Sequence, residues 1–439
     1  MKKNKTLHYL LLVITSLYST SIIASNLNVY VSAHADDWQL FMNPNAYKDI
    51  NALNSKVLFI YFTAGDSGLS NLPIGNPKYI ARKEGASKAV KFLVNTNNGN
   101  YGLSENVSVV NFNDHNFNRR EYKNTVSYYF DLPDGNMNGQ GFKGNNYNSL
   151  EKLRTNKINT IRSVNNKLQF KSWEDLTKTV ELMIDFETQD FDNVIINASE
   201  TNHRFGNLGD HSDHQNTSLI FQEINNKNNK CYSFNFYNNY QTKNSPPNLD
   251  NNDIIINAGT WGVTTATIAE NKTASSWDFG HNKWLSRMYF RSVKKNKNCQ
   301  TNLNLALSAK VTASSENNSN NQVSKNIIDG IYSGYPGKID AEWASNNEKV
   351  NAWIKLNWDE AIIASKVNIF DRPNKFDNIT EASLIIGSSE KQSKFKFSEF
   401  KNGMAYVKFP KQKITYVKVV IDKVSEDTSS VGLSEVEIY

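Results

Sequence analysis

Two hydrophobic periodicities alternate along residues 26–300. "LNVYVSA" (27–33), "SKVLFIYFT" (55–63), "NVSVVNF" (106–112), "FDNVIINAS" (191–199) and "CYSFNFYNNY" (231–240) are rich in Val, Ile, Phe and Tyr and are bounded by turn residues, the signature of strands. "PKYIARKEGASKAVKFLV" (77–94) and "WEDLTKTVELMIDFETQ" (173–189) instead repeat apolar residues every three to four positions, the signature of helices. Strands alternating with helices predict an α/β unit on a mostly parallel sheet. From residue 302 the texture changes. "NLALSAKVTASS", "AWIKLNW", "SKVNIFDR", "ASLIIGSS", "MAYVKF", "TYVKVVID" and "LSEVEIY" are short strands with turns between them and no convincing helix, the pattern of an antiparallel β-sandwich. The boundary is placed in the linker "NKNCQTNLN" (296–304), and the Asn-rich tracts at 225–230 and 317–321 read as polar surface loops.

The first 25 residues depart from both patterns. Lys2, Lys3 and Lys5 precede a mostly apolar run from Leu7 to Leu17, with small residues near Ala24 and Ser25. That order fits a cleaved secretory signal, and the apolar run is too short to span a bilayer comfortably. The chain is therefore expected to be secreted or periplasmic, with no stable membrane span after cleavage. A formal charge of +6 over 439 residues, without a dense Lys/Arg stripe, argues against nucleic acid as a partner. The two cysteines, Cys231 and Cys299, could pair in an oxidising compartment.

Candidate chemistry gathers at two strand ends. The first strand runs into His34, Ala35, Asp36 and Asp37, where adjacent carboxylates repel unless something cationic joins them. The strand at 191–199 is followed by "GDHSDHQN" (209–216), which sets His211 and His214 three residues apart on one face of a helical turn. In open α/β sheets ligands bind beyond the carboxyl ends of the strands, where both clusters fall. His34, Asp37 and His214 form a donor set suited to a divalent metal such as zinc, with Asp36 a spare carboxylate and His211 a neighbouring imidazole able to donate to an oxyanion.

"SAHADDW" followed by "DHSDH" resembles the GlcNAc-phosphatidylinositol de-N-acetylases, the PIG-L or LmbE-like family. The resemblance spans roughly 27–290 and includes "TAGDSG" (63–68), "ARKEG" (81–85) and "LPDGNMNGQGF" (132–142). It implies a Rossmann-like three-layer α/β/α fold and zinc-dependent removal of acetyl groups from N-acetylated sugars. It assigns His34, Asp37 and His214 to zinc, Asp36 to the general base and His211 to the tetrahedral intermediate. Asp213 is placed behind His211, and Arg82 and Asp134 are placed towards substrate. The commonest first motif of that family has Pro and Glu where this chain has Ala35 and Trp38. Trp38 is accordingly expected to reshape the mouth of the site.

Residues 302–439 resemble a discoidin or coagulation factor 5/8 type C domain, a jelly roll also used as a carbohydrate-binding module. The carriers are "NLALSAKVTASS", "IIDG", "EWAS", "WIKLNW", "VNIFDR" and "GLSEVEIY". The resemblance implies loops that bind glycans and a structural calcium, with Asp329 and Glu435 at matching positions. Trp343, Trp353 and Trp358 read as core, and Tyr332 and Tyr335 as the better exposed sugar platforms. The three units are thus a signal at 1–25, a metal-dependent deacetylase domain at 26–300 and a glycan-binding sandwich at 302–439. The expected function is an exported zinc-dependent sugar de-N-acetylase. Two alternatives stay open: a non-catalytic glycan-binding adhesin, and a metal-dependent amidohydrolase on a non-sugar amide.

Overall fold

The computed structural model describes residues 25–69, 77–96, 103–189, 191–228, 230–275, 277–295, 303–388, 392–397, 400 and 403–439. The segment expected to be a signal, save Ser25, lies outside the described residues, as do Cys299 and most of the linker. Cys231 is disulfide-bonded.

The first unit is built from β1 (Asn26–Ser32), α1 (Asn45–Asn51), β2 (Ser55–Thr63), α2 (Lys78–Asn95), β3 (Asn106–Phe112), β4 (His115–Tyr122), β5 (Thr125–Leu132) and α3 (Leu150–Arg154). A two-residue hairpin of β6 (Ile161–Arg162) and β7 (Gln169–Phe170) follows. Then come α4 (Trp173–Glu187), β8 (Asn193–Ser199), α5 (Ser212–Asn228), β9 (Ser233–Tyr237), α6 (Asn251–Glu270), α7 (Phe279–Leu285) and β10 (Phe290–Val293). One sheet runs β10-β9-β8-β1-β2-β5-β4-β3. Its five central strands are parallel, and β10, β4 and β3 are antiparallel additions at the edges.

Alternation along the central strands sends side chains to opposite faces. Leu27, Val29, Val31, Leu58, Ile60 and Phe62 pack under α4 and α5, whereas Tyr30, Val57, Phe59 and Tyr61 pack under α1, α2 and α6. Helices cover both faces, so the central strands are buried on both sides. The α4 helix shows why its segment folds as it does. Ser172 caps it by accepting from the Asp175 N–H, and Leu176, Val180, Met183 and Ile184 fall on one buried stripe.

Three elements escape the hydrophobic pattern. The β4 segment "HNFNRREY" is too polar to stand out, because it lies next to the edge and buries only Phe117 and Tyr122. The α6 segment "NNDIIINAGTWGVTTATIAE" carries β-branched residues that disfavour helix. An Asp250 cap, and Thr260, Thr264 and Thr267 hydroxyls bonded to carbonyls four residues back, keep its polar groups satisfied inside the helix. The tract at 225–230 is not simply a loop, since α5 runs to Asn228.

The second unit contains β11 (Lys310–Ala313), β12 (Trp343–Ala344), β13 (Trp353–Asp371), β14 (Ile379–Gly387), β15 (Gln392–Phe397), β16 (Met404–Val424) and β17 (Gly432–Ile438), all antiparallel. β13 and β16 lose register at Asn357/Ile362 and again at Ala364/Lys366. The first half of β13 pairs β11 and the second half pairs β17. The bulged strands thereby serve both layers of a sandwich around one core that includes Trp343 and Trp358.

The units meet at α3 and α5. Lys338 Nζ lies 2.9 Å from Glu151 Oε1, Lys157 Nζ lies 2.5 Å from Asp340 Oδ2, and Lys325 Nζ donates to the Arg154 carbonyl at 2.8 Å. No helix among the described residues is long and apolar enough to cross a membrane.

Candidate metal centre

The turns after β1, β2, β5, β8 and β9 converge at one end of the parallel strands. They carry His34–Asp37, Gly65–Asp66, Asp134–Gly135, Asp210–His214 and Asn239 respectively. His34, Asp37 and His214 are buried and offer three ligand atoms within 4.8 Å of one another. Asp37 Oδ1 is 3.4 Å from His34 Nδ1 and 3.2 Å from His214 Nε2, while its Oδ2 accepts from the His34 N–H at 2.7 Å. A second set overlaps the first: His34, Asp134, His211 and Asp213.

The surroundings favour the first set. His214 Nδ1 meets Asp210 Oδ2 at 3.0 Å, and Asn239 Nδ2 donates to the same oxygen at 2.7 Å. A carboxylate on Nδ1 fixes the tautomer and leaves Nε2 free to ligate. Sequence reasoning gave Asp210 no such role, although its i, i+4 spacing to His214 was a usable signal. Asn239 carried no signal beyond its place after a strand.

Charge and satisfaction both point to a cation. Burial opposes charge on His34, but Asp37, Asp213 and Asp134 outweigh it and push the imidazole up to about 10. Burial likewise opposes charge on His214, and Asp210 and Asp37 push it up. On Asp37 burial works upwards, yet the two imidazoles hold it well below its ordinary range. The carboxylates thus demand positive charge, which a divalent ion supplies while leaving both imidazoles neutral. Among the described residues, His34 Nε2 and Asp213 Oδ1 are buried without hydrogen-bond partners, a costly state that a bound ion or its water relieves. The donor set fits a metal of the zinc type.

The other candidates sit round this cluster. Asp36 is ion-paired with Arg82, which also donates to the Gly65 carbonyl. Gly65, at φ +53°, is where a Cβ would strike the Arg82 guanidinium, so the glycine admits the arginine. His211 Nδ1 accepts from the Asp213 N–H at 3.2 Å, which leaves its proton on Nε2, 3.6 Å from Asp134 Oδ1. Asp213 Oδ2 accepts from the Gly135 N–H at 2.8 Å and lies 3.5 Å from His34 Nε2. Asp134 is buried against His211 and held by the Ser67 and Asn136 N–H groups.

Trp38 overturns its expectation. It is fully buried, packs on Phe59 and donates its Nε1–H to Tyr61 Oη at 2.8 Å. It belongs to the core beneath α2, because the turn that aims His34 and Asp37 at the site turns residue 38 the other way. His115 and His281 are structural, bonded to Asp175 and Asp278. His203 lies beside Tyr332 of the sandwich.

In the sandwich, Asp329 and Glu435 are buried. Glu435 Oε2 accepts from the Gly330 N–H at 3.0 Å, and its Oε1 has no hydrogen-bond partner among the described residues. Burial pushes Asp329 up to about 7 and Glu435 well above its ordinary value. Two buried carboxylates with a spare oxygen fit a hard cation. Tyr332 is not an open platform, since its hydroxyl donates to Glu437; Tyr335, 46% exposed, remains one.

Residues 304–439 match a family described as a domain of unknown function, DUF7402. No curated protein matches the chain. Solved structures similar to part of it include a fucose-binding module of Streptococcus pneumoniae (18% identity, TM-score 0.28, covering 31% of this chain and 96% of that one). Others are chitosan-binding module 1 of a Paenibacillus chitosanase/glucanase (18%, 0.26, 31% and 98%) and a Clostridium perfringens module in complex with GalNAc-β-1,3-galactose (20%, 0.24, 30% and 94%). Likeness this distant says nothing of what this chain binds.

Proposed function

We propose that the protein is an exported, metal-dependent hydrolase that removes the acetyl group from an N-acetylated sugar or glycan. The observation carrying this reading is the buried His34–Asp37–His214 triad, with the His211 ring centre 4.5 Å from that of His34 and the Arg82-paired Asp36 next to Asp37 in the chain. A zinc ion held by the triad would supply Lewis acidity towards an acetamide carbonyl and the attacking water. Asp36 takes the proton of that water and returns it to the sugar nitrogen as the C–N bond breaks, so acetate and a free amine leave. Arg82 fixes the carboxylate of Asp36 for both transfers. His211 is assigned to the oxygen on which negative charge develops, the role that the motif resemblance implies for it. The choice of an acetylated sugar as substrate, and of export as destination, rests on the motif resemblance and the N-terminal leader pattern.

The sandwich is read as the part that keeps the enzyme on its glycan, with the Tyr335 loop as a contact and a calcium ion held by Asp329 and Glu435. Tethering of this kind raises the local concentration of substrate. Acetate release from N-acetylglucosamine, chitin oligomers, peptidoglycan fragments and secreted polysaccharides tests the whole reading. Release from at least one of them is expected, with Asp36→Asn retaining zinc and losing turnover. An Asp36→Asn variant as active as the wild type overturns the mechanism.

A further inference from the structure

The seam between the units opens into a cleft of about 790 Å³ that the proposed reaction does not use. The α/β unit contributes Arg204, Arg291 and Lys294 to it, and the sandwich contributes Lys366 and Lys408. Arg291 is neutralised, because both Nε and Nη2 donate to the buried carboxylate of Glu200. The other four are not. Among the described residues, no carboxylate lies within ion-pair distance of Arg204, Lys294, Lys366 or Lys408.

Among the described side chains, the Glu437 carboxylate faces this group, and it is already engaged. It is 1% exposed and accepts from Asn368 Nδ2 at 2.6 Å, from Asn202 Nδ2 at 3.1 Å and from the Tyr332 hydroxyl. The cations also press on one another. Burial, and beyond it the charges of Arg204 and Lys408, pull the Lys366 ammonium down from its ordinary value, against the opposing pull of Glu437. Cations gathered in one cleft focus a positive potential there, and an anion relieves it.

Aromatic faces are interleaved with these charges. Lys366 Nζ lies 5.4 Å from the Tyr406 ring centre and 5.9 Å from that of Tyr439. Phe205, 57% exposed, carries the Arg291 guanidinium at 4.6 Å. Ring faces beside ammonium groups suit a sugar whose C–H face stacks while its acidic substituent meets a cation. Four unmatched cations in a compact cleft match a few charged sugar units better than the long phosphate track of a nucleic acid.

We propose that this interdomain cleft binds an anionic polysaccharide whose units carry carboxylate or sulfate groups. The site uses none of the residues assigned to acetyl hydrolysis, so it stands or falls separately from that reading.

The test is calorimetric titration of the full chain with polygalacturonate oligomers, heparin oligosaccharides, neutral cello-oligosaccharides of equal length and a single-stranded oligonucleotide. At least one acidic oligosaccharide is expected to bind at least tenfold tighter than the neutral one, with affinity falling as salt rises. Binding of polygalacturonate alone assigns carboxylate, and binding of heparin alone assigns sulfate. Lys366→Ala/Lys408→Ala is expected to weaken that binding at least tenfold without changing the melting temperature or zinc content. Arg204→Ala, at an exposed position, provides the same readout if the double variant folds poorly. Absence of binding by both acidic probes, unchanged affinity in the variants, or equal or tighter binding of the oligonucleotide overturns the proposal.

Discussion

Arg82 forms an ion pair with Asp36, through Gly65, which leaves room for the guanidinium, and so the assigned base is held from a different helix than the one that follows the metal motif. Arg82 side-chain exposure is 15% and that of Asp36 is 24%, which puts this pair on the open side of an otherwise buried cluster. Arg82→Leu is expected to keep the metal while lowering kcat by about 10²-fold, the cost typical of a misplaced catalytic group. Steady-state kinetics beside metal analysis checks this. An unchanged kcat shows that Asp36 needs no such support.

Asp210 is the second carboxylate of consequence. It does not reach the ligand position, but it holds His214 through Nδ1 and shares Asn239 with it. Substituting groups that orient a metal-ligating histidine commonly costs 10–100-fold in metal affinity. Asp210→Asn should therefore lose zinc to a competing chelator at roughly that lower concentration, whereas His214→Ala should not retain zinc at all. Equal retention in the wild type and Asp210→Asn removes Asp210 from the site.

Trp38 separates what the sequence could and could not say. Its position beside Asp37 suggested the site mouth, yet it is fully buried against Phe59 and Tyr61. Trp38→Ala should cost about 3–5 kcal/mol of stability, as large core truncations do. Zinc binding by the folded fraction should persist. Denaturant unfolding measures the first and metal analysis the second. A loss of less than about 1 kcal/mol would show that Trp38 is not the core residue it is here.

The same contrast runs through the chain. Strands β1, β2 and β8 were legible because a two-sided core demands near-continuous apolar residues, and the His and Asp residues at their ends stood out against that background. The β4 strand, next to the sheet edge, and the Thr-rich α6 helix were hidden. One meets the core with only part of its side chains, and the other satisfies its polar groups by local bonds that leave no periodic trace. Tyr332 misled for the opposite reason. Its loop is polar, but Glu437, more than a hundred residues away, draws the hydroxyl inwards. Contacts between distant segments, such as Asn239 with Asp210 or Arg82 with Asp36, depend on which strand ends the topology brings together.

Asp49 gives a pH prediction outside the metal site. Tyr30 Oη donates to its Oδ2 at 2.6 Å, yet burial dominates and pushes the carboxyl up to about 6. In the unfolded chain an aspartate titrates near ~3.9. The folded state therefore holds its proton more tightly. This stabilising contribution is complete below about 4 and is lost as the pH rises through about 6. Asp49→Asn removes the titration while keeping the shape. The stability of the wild type relative to this variant is expected to fall between pH 4 and pH 6.5 and to stay level above that. Urea unfolding of both proteins across that range measures the difference. A difference that stays constant with pH means that burial does not govern this carboxyl.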